Sequence, residues 1–134
     1  MKIPKIDKEI FQKFNVKLAY LFGSQAKGNS AGESDYDIAV LFRQKPKEPL
    51  ALKEITSLSC ELNKFIPGKL DVVSLNDAPL LLKYEVVAHG KPIFCENESE
   101  RIEFEVLAIK EYIDEEPIRN LYNRALYKRI LQAT

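Results

Sequence analysis

Asp35 and Asp37 are the residues of this 134-residue chain best suited to chemistry, and Asp71 is their natural third member. The first two open an apolar segment, Tyr36 to Phe42, of strand-like length and composition. In a strand, residues two apart project from one face. Two carboxylates held side by side repel unless a cation or another partner lies between them. Mg²⁺ suits that role, because it prefers oxygen ligands and takes one or two carboxylates together with substrate phosphates. A polar turn accounts for Glu33, Ser34 and Asp35, but not for Asp37, which sits inside the strand between Tyr36 and Ile38.

Asp71 lies early in a second apolar segment, Lys69 to Leu75. If the two segments are neighbouring strands, Asp71 reaches the same cation site. Three carboxylates around two ions, about 3.5–4 Å apart, form a clamp for the attacking and leaving oxygens of phosphoryl chemistry. Gly23 and Ser24 end a third apolar segment, Lys17 to Phe22. A glycine there lets a ligand approach the backbone. If Gln25-Ala26-Lys27 begins a helical turn, its free N–H groups favour phosphate oxygens, and Ser24 adds a hydroxyl. Gly-Ser after a strand is a common turn, so this pair gains meaning only beside the aspartates. Lys27 is a candidate cation for the phosphates, and Arg43 a weaker one.

These residues need a scaffold. A short helix is predicted over 7–14, with Ile10, Phe11 and Phe14 on one side. Strands follow over 17–22 and 36–42, separated by a loop rich in Gly, Ser and Asn over 25–35. Leu52, Ile55, Leu58, Leu62 and Phe65 recur at helical spacing, and Pro67-Gly68 stops that helix. The third strand spans 69–75. Asn76 or Asp77 caps the next helix, with Pro79 in its first turn and His89-Gly90 at its end. Lys91 to Cys95 forms a fourth strand. From Glu98 the pattern is helical again. Ile102, Val106, Ile109 and Ile113 make one stripe, and Ile118, Leu121, Tyr122, Ala125 and Leu126 another. Pro117 divides them, which predicts a helical hairpin. The expectation is an α+β single domain over 1–134. A mixed sheet of about four strands with flanking helices fills 1–95, and the C-terminal helices occupy 97–133.

Composition excludes several functions. Twenty basic and twenty acidic residues give zero net charge, which argues against coating nucleic acid, a role that needs a basic surplus. No apolar run approaches the ~20 residues of a membrane-spanning helix, and the start lacks a signal-peptide core. A cytoplasmic protein without membrane contact is expected. One histidine, His89, and two cysteines, Cys60 and Cys95, without metal-ligand spacing leave no zinc site and no Ser-His-Asp triad. Both cysteines are expected as buried reduced thiols, and His89 as a surface or capping residue.

Leu21-Phe22-Gly23-Ser24-Gln25-Ala26-Lys27-Gly28, Ser34-Asp35-Tyr36-Asp37-Ile38-Ala39-Val40 and Leu70-Asp71-Val72-Val73 together resemble the DNA polymerase β-like nucleotidyltransferases. More closely they are similar to the short MNT proteins, antitoxins that accompany HEPN-domain toxins. Lys27 stands where the family often has Arg, a change that keeps the charge. The resemblance implies a nucleotidyltransferase fold and an Mg²⁺-dependent enzyme, with two ions held by Asp35, Asp37 and Asp71. It implies that Asp71 helps deprotonate the acceptor, that Gly23 and Ser24 hold the triphosphate, and that Lys27 neutralises it. The implied reaction is transfer of AMP from ATP to a tyrosine of a HEPN ribonuclease toxin, the partner of a hetero-oligomer. Two alternatives are an antitoxin of the same fold acting by contact alone and a transferase for a small molecule of the aminoglycoside type. The C-terminal stripes are expected to cover the sheet, with the nearby Tyr and Arg residues as candidate interface anchors.

Overall fold

The computed structural model describes residues 3–23, 35–44, 47 and 50–132. Four strands, β1 (Val16–Phe22), β2 (Asp35–Phe42), β3 (Lys69–Ser74) and β4 (Lys91–Cys95), form one sheet in the order β3-β2-β1-β4. The antiparallel pairs are β1 with β2 and β1 with β4, while β2 and β3 run parallel. Four described helices complete the chain: α1 (Lys8–Lys13), α2 (Leu50–Asn63), α3 (Leu80–His89) and α4 (Glu98–Gln132). The mixed four-stranded sheet agrees with the reading of the sequence, as do the strands within a residue or two. No described helix is long and apolar enough to cross a membrane.

Alternation along the strands builds two cores. On one face Tyr36, Ile38, Val40 and Phe42 of β2 meet Phe11 of α1 and Leu58 and Leu62 of α2. On the other, Leu18, Tyr20, Ala39 and Leu41 pack with Val86 of α3, and Phe104 of α4 rests against them. A bulge between Val16 and Leu18 resets β1, so Val16 and Ala19 share the first face while Leu18 and Tyr20 take the second. The same parity turns Asp35, Asp37 and Asp71 toward the face that α3 and α4 cover.

Several details differ from the sequence-based expectations. Neither Asn76 nor Asp77 caps α3. Pro79 holds the N-cap position, with no side-chain capping bond. Asn76 instead accepts from the Phe42 N–H at 2.9 Å and donates to the Phe42 carbonyl at 3.1 Å. Its amide thereby ties the end of β3 to the end of β2, a long-range use that local capping rules do not foresee. Cys60 is exposed rather than buried, and Cys95 is half-buried; both thiols are free. Leu58 and Leu62, four residues apart, take the inner side of α2 and leave Cys60 on the outer one. Burial, and then the neighbouring Glu98, pushes the Cys95 thiol up from its ordinary value.

The largest departure is at the C-terminus. There is no hairpin: α4 runs unbroken through Pro117 for 35 residues. Proline removes one N–H and crowds the preceding turn, but a helix can continue past it where tertiary contacts hold the chain on both sides. Here Arg119 Nη1 donates to the Tyr112 carbonyl at 2.8 Å. The guanidinium also lies 3.7 Å from the centre of the Tyr112 ring, whose other face stacks on Tyr84 at 3.7 Å. Near its start α4 is anchored by Glu105, which accepts from the Tyr20 hydroxyl at 2.8 Å and from Arg101 at 2.9 Å. Burial and then that bond to Glu105 drive the Tyr20 hydroxyl well above its ordinary pKa. The stripe of Ile102, Val106, Ile109 and Ile113 does not cover the sheet but faces outward. Phe104 and Ala108 supply the sheet-facing contacts of this segment.

Candidate functional site

The ends of three strands meet at one corner of the sheet. Phe22, the last residue of β1, is the register partner of Asp37. Asp37 is in turn the parallel partner of Asp71, and Asp35 that of Lys69. Adjacent strands lie about 4.8 Å apart, so the Asp37 and Asp71 side chains leave neighbouring backbones in the same direction. Asp35 lies two residues before Asp37 on that face. Parallel pairing is what makes this possible. The crossover through α2 returns the chain to the same end of the sheet, and Asp71 starts its strand beside the start of β2.

Gly23 follows at once. Its φ of 77° lies in the left-handed region, where glycine carries no penalty. A Cβ built on it would sit 2.3 Å from Asp37 Oδ2. The backbone at Gly23 is therefore packed directly onto the Asp37 carboxylate, and no side chain fits between them.

Asp37 is half-buried, while Asp35 and Asp71 are exposed. Its carboxyl is pushed above the ordinary aspartate range, first by burial and then by the charges of Asp71 and Asp35. Each cause disfavours the anion. The three carboxylates thus repel one another, and a divalent cation would relieve that repulsion. Among the described residues, no three or more His, Cys, Asp or Glu side chains form a group that could hold a metal ion by themselves. The donors that do meet at the corner are carboxylate oxygens, the kind that Mg²⁺ takes alongside substrate phosphates. The chemistry of the donors therefore fits the ion.

Ser24 and Lys27, the other candidates for the phosphate cradle, lie outside the described residues. Arg43 belongs elsewhere, since its guanidinium pairs with Glu96 beside β4. His89 lies 3.8 Å from Glu85 on α3, as a surface residue does. Lys69 was not anticipated. Its place two residues before Asp71 puts it on the carboxylate face, next to Asp35 in register, and that spacing was visible in the sequence. Lys69 and Asp71 also line a cleft of about 450 Å³ together with Ser59, Cys60 and Asn63 of α2.

Comparison with known proteins points the same way. The family described as Polymerase beta, Nucleotidyltransferase matches residues 5–99. Protein adenylyltransferase MntA of Aphanizomenon flos-aquae (strain 2012/KM1/D3) is 34% identical over 87 residues, which cover 60% of this chain and 58% of that protein. The chain's match thus spans little more than half of that relative's length. Among solved structures, a toxin–antitoxin complex with AMP-PNP contains a chain of the same fold. The TM-score is 0.70 at 24% identity, covering 90% of this chain and 98% of that one. A second is a chain from the complex of tri-AMPylated Shewanella oneidensis HEPN toxin with MNT antitoxin. It gives a TM-score of 0.67 at 23% identity, over 88% of this chain and 90% of that one.

Proposed function

The chain belongs to the polymerase β nucleotidyltransferase family, and on that premise we propose that it is an antitoxin that transfers AMP from ATP to a tyrosine of a HEPN-domain ribonuclease toxin. The observation that carries the reading is the pairing of Asp37 with Asp71 across two parallel strands, with Gly23 packed on the Asp37 carboxylate. The name of the 34%-identical relative, an adenylyltransferase, supports the reaction type. The described complexes of similar fold, one with AMP-PNP and one with an AMPylated HEPN toxin, support nucleotide and acceptor.

In this reading Asp35, Asp37 and Asp71 would hold Mg²⁺, which when bound neutralises charge on the triphosphate and on the acceptor oxygen. The Gly23 backbone, free of any side chain, and the Ser24 hydroxyl hold the triphosphate tail, and Lys27 offsets its charge. Asp71 takes the proton from the tyrosine hydroxyl. The phenolic oxygen attacks the α-phosphorus, the bond from that phosphorus to the bridging oxygen breaks, and pyrophosphate leaves with the electron pair. The protein contributes mainly position and charge, as phosphoryl-type transfers require. Strand order serves this purpose. Gly23 lies on the β1 side of Asp37 and Asp71 on the β3 side, so leaving group and acceptor can occupy opposite sides of the reacting phosphorus.

The test is incubation with α-labelled ATP, Mg²⁺ and the product of the adjacent toxin gene. Label should appear on the toxin, and the Asp37→Asn and Asp71→Asn variants should transfer none. Neutralisation of the toxin without label would replace this reading with inhibition by contact alone. Label on a small hydroxyl-bearing compound, with none on the toxin, would make it a small-molecule transferase.

A further inference from the structure

Helix α4 carries far more exposed apolar surface than a finished fold leaves in water. Twelve of the sixteen large hydrophobic residues found exposed among the described residues lie on it, and Ala108 is its one buried residue. Every residue from Asn120 to Gln132 is exposed. At 1.5 Å per residue the helix is about 50 Å long, longer than the sheet beneath it needs. Contiguous apolar surface on this scale marks an interaction site.

Its charges are sorted along its length. Residues 98–116 contain eight acidic and two basic residues, and residues 117–132 contain four basic and no acidic ones. The helix dipole favours this polarity, but only within the first and last turns. Glu111, Asp114, Glu115, Glu116 and Arg119 lie well inside those turns. Pro117 stands at the boundary. On either side of it, at matching distances, lie two apolar hollows. One is about 360 Å³, lined by Val106, Ile109, Lys110, Ile113 and Asp114. The other is about 560 Å³, with Leu121, Arg124, Ala125, Tyr127 and Lys128 in its wall.

We propose that α4 pairs with α4 of a second copy of this chain, antiparallel about Pro117, so that the acidic half of each copy lies on the basic half of the other. A two-fold axis at Pro117 brings Ile113 beside Leu121, Ile109 beside Ala125, and Val106 beside the alkyl stem of Lys128. The two hollows thus close on each other. Such an interface is self-complementary, as a two-fold dimer requires. Parallel pairing is disfavoured because it would set acidic half against acidic half. The charge pattern selects a second copy, since a partner must carry the same polarity reversed, and a copy turned end for end does so. This pairing stands apart from the transfer reaction and does not rest on it.

Charge reversal tests the pairing without removing apolar surface. One variant, Arg124→Glu with Lys128→Glu and Arg129→Glu, gives both halves of the helix a net negative charge. Another, Glu103→Lys with Glu111→Lys, Asp114→Lys, Glu115→Lys and Glu116→Lys, gives both halves a net positive charge. Sedimentation velocity at low salt should show wild type as a dimer that weakens as salt rises. Each variant alone should be monomeric, and an equimolar mixture should sediment as a heterodimer. Circular dichroism establishes that both helices remain intact. Monomeric wild type at all accessible concentrations would overturn the proposal, as would reversed variants that still self-associate or a mixture that stays monomeric. A monomeric wild type that loses toxin binding on reversal of Arg124 and Lys128 would assign the surface to the toxin instead.

Discussion

Gly23 is packed onto the carboxylate of Asp37 so closely that a single methyl group at residue 23 would fall 2.3 Å from Asp37 Oδ2. The left-handed backbone of Gly23, with φ of 77°, imposes a second demand for glycine at the same position. Gly23→Ala therefore meets both strain and collision. It is expected to cost about 1–2 kcal/mol of stability and to lower AMP transfer by about 100-fold or more, the scale of losing one preorganised contact to developing charge. Urea unfolding and initial rates with labelled ATP measure the two effects separately. Unchanged transfer would remove Gly23 from the site.

Asp37 works against the metal-free fold. Its carboxyl is raised in the folded state by burial and by Asp71 and Asp35, so it binds a proton more tightly folded than unfolded. Stability from this group is fully present below the ordinary aspartate value of about 3.9 and is lost as pH rises through the raised folded value. In a chelator, Asp37→Asn should melt at a higher temperature than wild type at about pH 7, and the gap should close toward about pH 4. Adding Mg²⁺ should raise the melting temperature of wild type and leave the variant nearly unmoved. Thermal melts across pH, with and without Mg²⁺, check both signs.

Arg119 ties the two sides of Pro117 together. It fills the Tyr112 carbonyl and closes the stack begun by Tyr84 and Tyr112. Arg119→Ala should lose about 1 kcal/mol, the scale of one hydrogen bond and one cation–π contact. Hydrogen exchange should quicken over residues 117–132 and remain slow in the sheet. Arg119→Lys should rescue little, because an ammonium cannot stack as a planar guanidinium does.

Asn76 joins two strands with one amide. Asn76→Ala removes both bonds to Phe42 and leaves that residue's N–H and carbonyl unpaired. The expected cost is about 1–3 kcal/mol, read from chemical denaturation. Transfer activity should persist in the folded fraction, since Asn76 follows the end of β3, opposite the Asp71 end.

Much of this protein was legible in its residues. The apolar runs at 17–22, 36–42 and 69–75 gave strands because they are short and apolar, the first closed by Gly23 and the third opened by Pro67-Gly68. Period-two alternation placed Asp35 and Asp37 on one face before any partner was known. Local signals could not say which strands neighbour each other, and only the parallel pairing of β2 with β3 makes Asp71 a partner of Asp37 and Lys69 a partner of Asp35. Pro117 read as a break because the rule that proline ends a helix is local. The helix continues through it, with Arg119 and Tyr84 of a second helix both packed on Tyr112. Asn76 read as a cap for the same reason, and its amide was claimed by a strand 34 residues away in sequence. Periodicity marked the apolar stripes of α4 but not what they face, because a helical pattern shows that a side is apolar and packing alone decides what covers it.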